Sequence, residues 1–195
     1  MYFILIPIVV GIFLGAYLAT NSTDLFETQS QLTPKLLIKN GSPEIGDLSA
    51  RITIVEFGDY QCTFCYKFHQ NTLKQIYEQY IMTGQVKYVY RDFPLNGVDS
   101  KLAAEASYCA DDQNKYWEYH NILFENWAGE KTGWISITSL MKFAVDIDLD
   151  ISKFNKCLND HKYSHKVINN QNYAKSVGIP FIIFLAFRAT YNSTL

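Results

Sequence analysis

Two cysteines one helical turn apart, Cys62 and Cys65, enclose Thr63-Phe64 and follow closely on the apolar run 52–57. Thiols so spaced at a strand-to-helix junction are set up for dithiol chemistry. A sulfur at the start of a helix meets unpaired backbone N–H groups and the positive end of the helix dipole, and both favour thiolate over thiol. Cys62 is therefore the expected nucleophile, acidic and open to solvent. Cys65 lies close enough to attack a mixed disulfide on Cys62 and release the partner as a thiol.

Two other readings compete. A zinc site needs two further ligands, and the nearest candidate, His69, stands four residues past Cys65. No second close cysteine pair exists, since Cys109 and Cys157 are far apart in the chain. An inert structural disulfide between Cys62 and Cys65 is the other alternative. Redox chemistry is preferred to both, with no metal and no organic cofactor expected. His69, His120, His161 and His165 read as ordinary helix residues.

The segment Val55-Glu56-Phe57-Gly58-Asp59-Tyr60-Gln61-Cys62-Thr63-Phe64-Cys65-Tyr66-Lys67-Phe68-His69 resembles the active-site region of DsbA-type thiol-disulfide oxidoreductases, within the thioredoxin-like superfamily. The match includes an acidic residue ahead of the cysteines, an aromatic before the pair and a Phe-His after it. A later stretch, Gly178-Ile179-Pro180-Phe181-Ile182-Ile183-Phe184, resembles the family's loop bearing a cis-proline opposite the active site. The resemblance runs from about residue 36 to about 187. It implies an α/β thioredoxin-like sheet with an inserted helical subdomain acting as a lid.

It also implies roles. Glu56, if turned inward behind the cysteines, is a buried carboxylate of raised pKa able to take the proton from Cys65 as it attacks; otherwise it is a polar residue near a strand end. Pro180 in its cis form places the backbone of Ile179 beside the sulfurs, where it pairs with an extended substrate. Thr63 stands where the family often has proline, so a strongly oxidising potential is not implied.

The elements that must position these residues follow from pattern. Leu36-Leu37-Ile38 reads as a short strand ended by Asn40-Gly41, and Ile52 to Phe57 as a strand apolar on both faces, hence central in a sheet. Cys62 to about Ile81 reads as a helix with apolar residues at 73, 76, 77 and 80, ended by Gly84. Val86 to Tyr90 is a further strand, and strand-helix-strand implies parallel pairing. The pattern is helical over about 98–176. Asp99 or Ser100 caps a helix carrying Leu102, Ala103, Ala106, Cys109 and Ala110 on its inner face; Tyr116 to Trp127 and Ile135 to Val145 follow; Asp150 caps a helix holding Phe154, Cys157 and Leu158. Cys109 and Cys157 both fall on apolar faces, as a buried disulfide or as two packed thiols; an oxidising compartment favours the disulfide.

The chain has 48% hydrophobic and 15% aromatic residues and a net charge of −2, enough for a core and no reason to expect nucleic acid. Residues 1–20 are expected to be a transmembrane anchor or signal segment, residues 21–35 a linker and residues 36–195 one domain. Tyr2 to Ala19 carry no charged side chain and as a helix would rise roughly 27 Å, close to a bilayer's hydrocarbon thickness. An uncleaved anchor is preferred to a cleaved signal, which would want a basic start and a small residue where Tyr17 stands. Cysteine usage places the domain outside the cytoplasmic membrane. After Phe187 only residues 188–195 remain, too few for the hairpin, strand and closing helix that the resemblance implies.

The expected function is disulfide exchange with exported proteins bearing free thiols, helped by an unidentified redox partner. The alternatives are a reductase or isomerase using the same dithiol, or a thioredoxin-like binding protein without turnover.

Overall fold

In the computed structural model, residues 34–180 and 183–188 are described. Two compact units divide the chain, residues 1–37 and 38–195. The expected anchor at 1–20 lies outside the described residues, as does most of the linker. Among the described residues no helix is long and apolar enough to cross a membrane.

A short helix α1 (Pro34–Ile38) stands where a strand was expected. A run of three apolar residues does not distinguish helix from strand, whereas a proline at the first helical position presets the backbone for a helix. Asn40, at φ 65°, ends it, and Gly41 N–H returns to the Ile38 carbonyl at 3.0 Å. Strand-like pairing begins just beyond. Ser42 N–H donates to Tyr90 O at 2.7 Å, and Ile45 exchanges both backbone hydrogen bonds with Tyr88.

The sheet has the order β2-β1-β3, with β1 (Ile52–Gly58) parallel to β2 (Val86–Asp92) and antiparallel to β3 (Ile183–Arg188). The expectation of a central first strand is met: β1 is paired on both sides, and Val55 and Glu56, on opposite faces, are both buried. Residues alternate across the sheet. Ile54 and Glu56 share a face with Tyr88 and Tyr90, and this face is covered by the main aromatic core. The opposite face carries Phe57 and Arg91, whose guanidinium lies 3.8 Å from the Tyr173 ring centroid and whose Nε donates to Asn170 Oδ1 at 3.1 Å.

Between β1 and β2 runs helix α2 (63–81), and it is not a plain α-helix. Its turns alternate between α (Thr63–Lys67, Lys74–Ile76) and the wider π form (Phe68–Leu73, Tyr77–Ile81). Each π turn adds a residue to the period. The inward stripe expected at 73, 76, 77 and 80 therefore drifts: Leu73 and Ile81 are buried while Tyr80 is 44% exposed. Gly84, at φ 73°, closes the helix as expected.

Five helices fill the insertion between β2 and β3: α3 (Val98–Asp111), α4 (Tyr116–Glu125), α5 (Ile137–Asp146), α6 (Ile151–Asn159) and α7 (Ser164–Ser176). Asp150 caps α6 by accepting from Lys153 N–H at 3.1 Å, as expected. Ser136 and Ser139 form a reciprocal capping box at the start of α5. Neither Asp99 nor Ser100 caps α3, whose N-cap is Gly97 at φ 104°, two residues ahead of Asp99. Ser100 is instead drawn inward to Gln61. A disulfide joins Cys109 of α3 to Cys157 of α6, with Cα atoms 5.8 Å apart.

Candidate active site

The turn from β1 into α2 is built around one carboxylate. Asp59 Oδ1 accepts the Gln61 N–H at 2.8 Å, and its Oδ2 accepts the N–H groups of Leu95 and Asn96 at 2.7 and 2.8 Å. The loops after β1 and after β2 are thereby locked together. Asp59 O also accepts the Cys62 N–H at 3.0 Å.

Cys62 occupies the N-cap of α2 with extended backbone angles. The Cys65 thiol donates to its sulfur, and the backbone N–H groups of Cys65 and Phe64 point to it as well. These donors outweigh burial and the Asp59 charge, bringing Cys62 down to about 7. The expected openness is not met: the residue is only 6% exposed. The loop after α4 leans over the helix start, with Trp127 Nε1 donating to Gln61 O at 2.9 Å and Trp127 stacked on Tyr66 at 4.5 Å. Cys62 still keeps an edge at the surface, which the fully buried Cys65 does not.

Cys65 holds its proton. The hydrogen bond it gives to Cys62, its burial and the neighbouring Glu56 charge all push its thiol far up. Both cysteines are free thiols, so the structure shows the reduced pair.

Glu56 sits behind them on β1 and is 2% exposed. Desolvation raises its carboxyl to about 7 against the opposing pull of the Tyr88 hydroxyl and the Cys65 thiol, with the Cys62 charge adding to the rise. Tyr88 donates to Oε2, while Oε1 is buried without a hydrogen-bond partner among the described residues. A carboxyl poised near neutrality beside a buried thiol is chemically suited to accept that thiol's proton.

Ile179 and Pro180 lie just past α7, where Ile179 N–H donates to Ala174 O at 2.9 Å. No cis peptide bond occurs among the described residues, so the bond before Pro180 is trans, contrary to expectation. Trans is the default by about 0.5–1 kcal/mol, and Pro180 is exposed, with no described packing to offset that preference.

The histidines, expected to be ordinary, are partly brought together. His69 and His120 have ring centroids 5.6 Å apart and line a cleft of about 640 Å³ between α2 and α4. Burial depresses both, His120 strongly. Among the described residues no group of three or more side chains is arranged to hold a metal.

Three participants went unmarked in the sequence. Gln61 is a hub: its Nε2 donates to Ser100 Oγ at 2.8 Å and its Oε1 accepts the Lys131 N–H at 2.9 Å. Tyr88 reaches Glu56 across the sheet. Glu130 accepts the Thr63 N–H at 2.8 Å. Tyr88 could have been found from the strand register, but the others are joined only by folding.

A family model described as thioredoxin matches residues 39–182. Disulfide bond formation protein D of Bacillus subtilis is 34% identical over 98 residues, covering 49% of this chain and 44% of that protein. The crystal structure of Wolbachia pipientis alpha-DsbA1 is 29% identical with a TM-score of 0.71, covering 86% of this chain and 83% of that one. Oxidised BdbD from Bacillus subtilis is 25% identical with a TM-score of 0.70, covering 76% and 82%. The chain spans between 44% and 64% of the length of the disulfide bond formation proteins D that it matches.

Proposed function

The chain belongs to the thioredoxin family, in its DsbA-type branch of thiol-disulfide oxidoreductases, and from that premise we propose that it exchanges disulfides with other proteins through Cys62 and Cys65. The observation that carries this reading is the asymmetry of the pair: Cys62 caps the helix with an edge at the surface and is brought to about 7 by the Cys65 thiol and by the N–H groups of Cys65 and Phe64, while Cys65 is kept protonated and fully buried behind it.

In the oxidising direction a substrate thiolate attacks Cys62 Sγ of the Cys62–Cys65 disulfide. A mixed disulfide forms and Cys65 leaves as a thiolate, taking a proton from Glu56. A second substrate thiolate then attacks the substrate's own sulfur in the mixed disulfide. The substrate leaves oxidised, and Cys62 departs as a thiolate, a good leaving group because its conjugate acid is strong. A separate protein must afterwards accept the two electrons. The reverse steps describe a reductase, with Glu56 accepting the Cys65 proton.

Exported proteins with free thiols are the substrates proposed, and the domain is placed outside the cytoplasmic membrane. The buried Cys109–Cys157 disulfide supports that compartment. The anchoring role of residues 1–20 and the substrate-flanking role of Ile179 and Pro180 are proposals resting on sequence and resemblance.

The test is trapping in cells. A Cys65→Ala variant should accumulate adducts on Cys62 that reductant removes. No adducts, together with a wild type inactive in refolding of a reduced protein, would leave the binding-protein reading standing. A measured reduction potential separates oxidant from reductase.

A further inference from the structure

A tightly curled loop delivers one carboxylate to the start of the active-site helix. Within it Gly129, Lys131 and Gly133 all have left-handed backbone, at φ 103°, 57° and 80°. A Cβ at Gly129 would meet Thr132 Cγ2 at 2.9 Å, so the curl is specific to glycine there. The loop is fastened on both sides of Glu130: Trp127 Nε1 to Gln61 O at 2.9 Å, Lys131 N–H to Gln61 Oε1 at 2.9 Å and Trp134 Nε1 to Gly129 O at 2.9 Å. Glu130 Oε1 is thereby held 2.8 Å from the Thr63 nitrogen.

The first turn of α2 thus serves two anions. Thr63 N–H is taken by the Glu130 carboxylate, and the N–H groups of Phe64 and Cys65 are left to the Cys62 sulfur. We propose that Glu130 is a positioning residue that sets the acidity, and with it the oxidising strength, of Cys62 by competing with the thiolate for the positive end of the active-site helix.

The sign follows from charge. A carboxylate beside the helix start offsets the dipole that stabilises the thiolate and withholds one donor from it. Both effects disfavour the reduced, thiolate form and make the pair a weaker oxidant than its helix alone would make it. The other charged groups near Cys62 are Asp59 in the preceding turn and Glu56 on β1, while Lys131 sits beside Glu130 in the loop. Glu130 differs from Asp59 and Glu56 in lying on the inserted subdomain, so the insertion tunes a dithiol that it does not contain. Glu130 is exposed, which keeps its influence modest and salt-dependent.

The inference rests on Cys62 being the reacting sulfur, and one experiment separates the two claims. The pH profile of iodoacetamide alkylation of Cys62 is measured for the wild type, Glu130→Gln and Glu130→Lys, at low salt and at about 1 M salt. Glu130→Gln should lower the Cys62 pKa by about 0.2–0.7 units, Glu130→Lys should lower it further, and the differences should shrink at high salt. Equilibration with a glutathione buffer should show both variants more oxidising, in the same order. Unchanged or raised pKa values in both variants, beside a wild type titrating near 7, would overturn the role of Glu130 alone. A wild-type Cys62 of ordinary thiol acidity would overturn the reading of the site itself.

Discussion

The hydrogen bond from Cys65 to Cys62 is the largest contributor both to the acidity of one sulfur and to the inertness of the other. Removing the donor should be felt by the acceptor. A hydrogen bond to a charged group is worth about 1.5–3 kcal/mol, so Cys65→Ala should raise the Cys62 pKa by about one unit or more, read from the pH profile of alkylation. Glu56 acts on the other sulfur. With Glu56→Gln the mixed disulfide should persist, because Cys65 loses its proton acceptor; its resolution at pH 7 should slow by about 10²-fold, with the defect narrowing as pH rises. The placement of these three residues was legible because it is local. Cys62, Cys65 and Glu56 lie within one strand and one turn, where spacing alone fixes geometry. The openness of Cys62 was not legible, since what leans over it comes from residues 127–131, which no local pattern ties to Gln61.

At the scale of elements, the apolar pattern located β1, β2 and most of the helices but misread Leu36-Leu37-Ile38 as a strand, and chemistry at the ends of elements decided the disagreements. Asp150 announces its helix because a cap is a local bargain between one side chain and one N–H. Ser100 fails the same expectation because a partner distant in sequence, Gln61, competes for its hydroxyl. The π turns of α2 escaped detection because composition does not encode an extra residue per turn. The close fit of β1 to β2 is testable at Gly58, where an added Cβ would meet Tyr90 Cε2 at 2.4 Å. Gly58→Ala should cost about 1–3 kcal/mol in chemical denaturation, since the ring has to move. The bond between α3 and α6 closes a loop with a sequence separation of 48, worth about 4 kcal/mol in the chain-entropy model. A Cys109→Ala, Cys157→Ala double variant should lose stability of that order while its Cys62 titration stays in place.

For the molecule as a whole, the active site imposes a cost that depends on pH. Glu56, raised from 4.5 to about 7, binds a proton in the folded state that the unfolded chain releases. Its contribution to stability is therefore full below about pH 4.5 and is lost as pH rises through 7. His69 and His120, depressed by burial, act oppositely and penalise acid. A Glu56→Gln variant isolates the effect of the carboxyl: it should be more stable than wild type by about 3 kcal/mol at pH 8 and equal to it near pH 4, measured by denaturant titration of the reduced protein. The topology carries a different consequence. β1 acquires its parallel neighbour soon after it is made, but its antiparallel neighbour, residues 183–188, comes only after all five inserted helices. As the chain emerges N-terminus first, one margin of the central strand waits bare until residues 98–176 have followed, a ready template for stray chains. Chaperone protection is thus needed most before the last strand arrives to seal that margin.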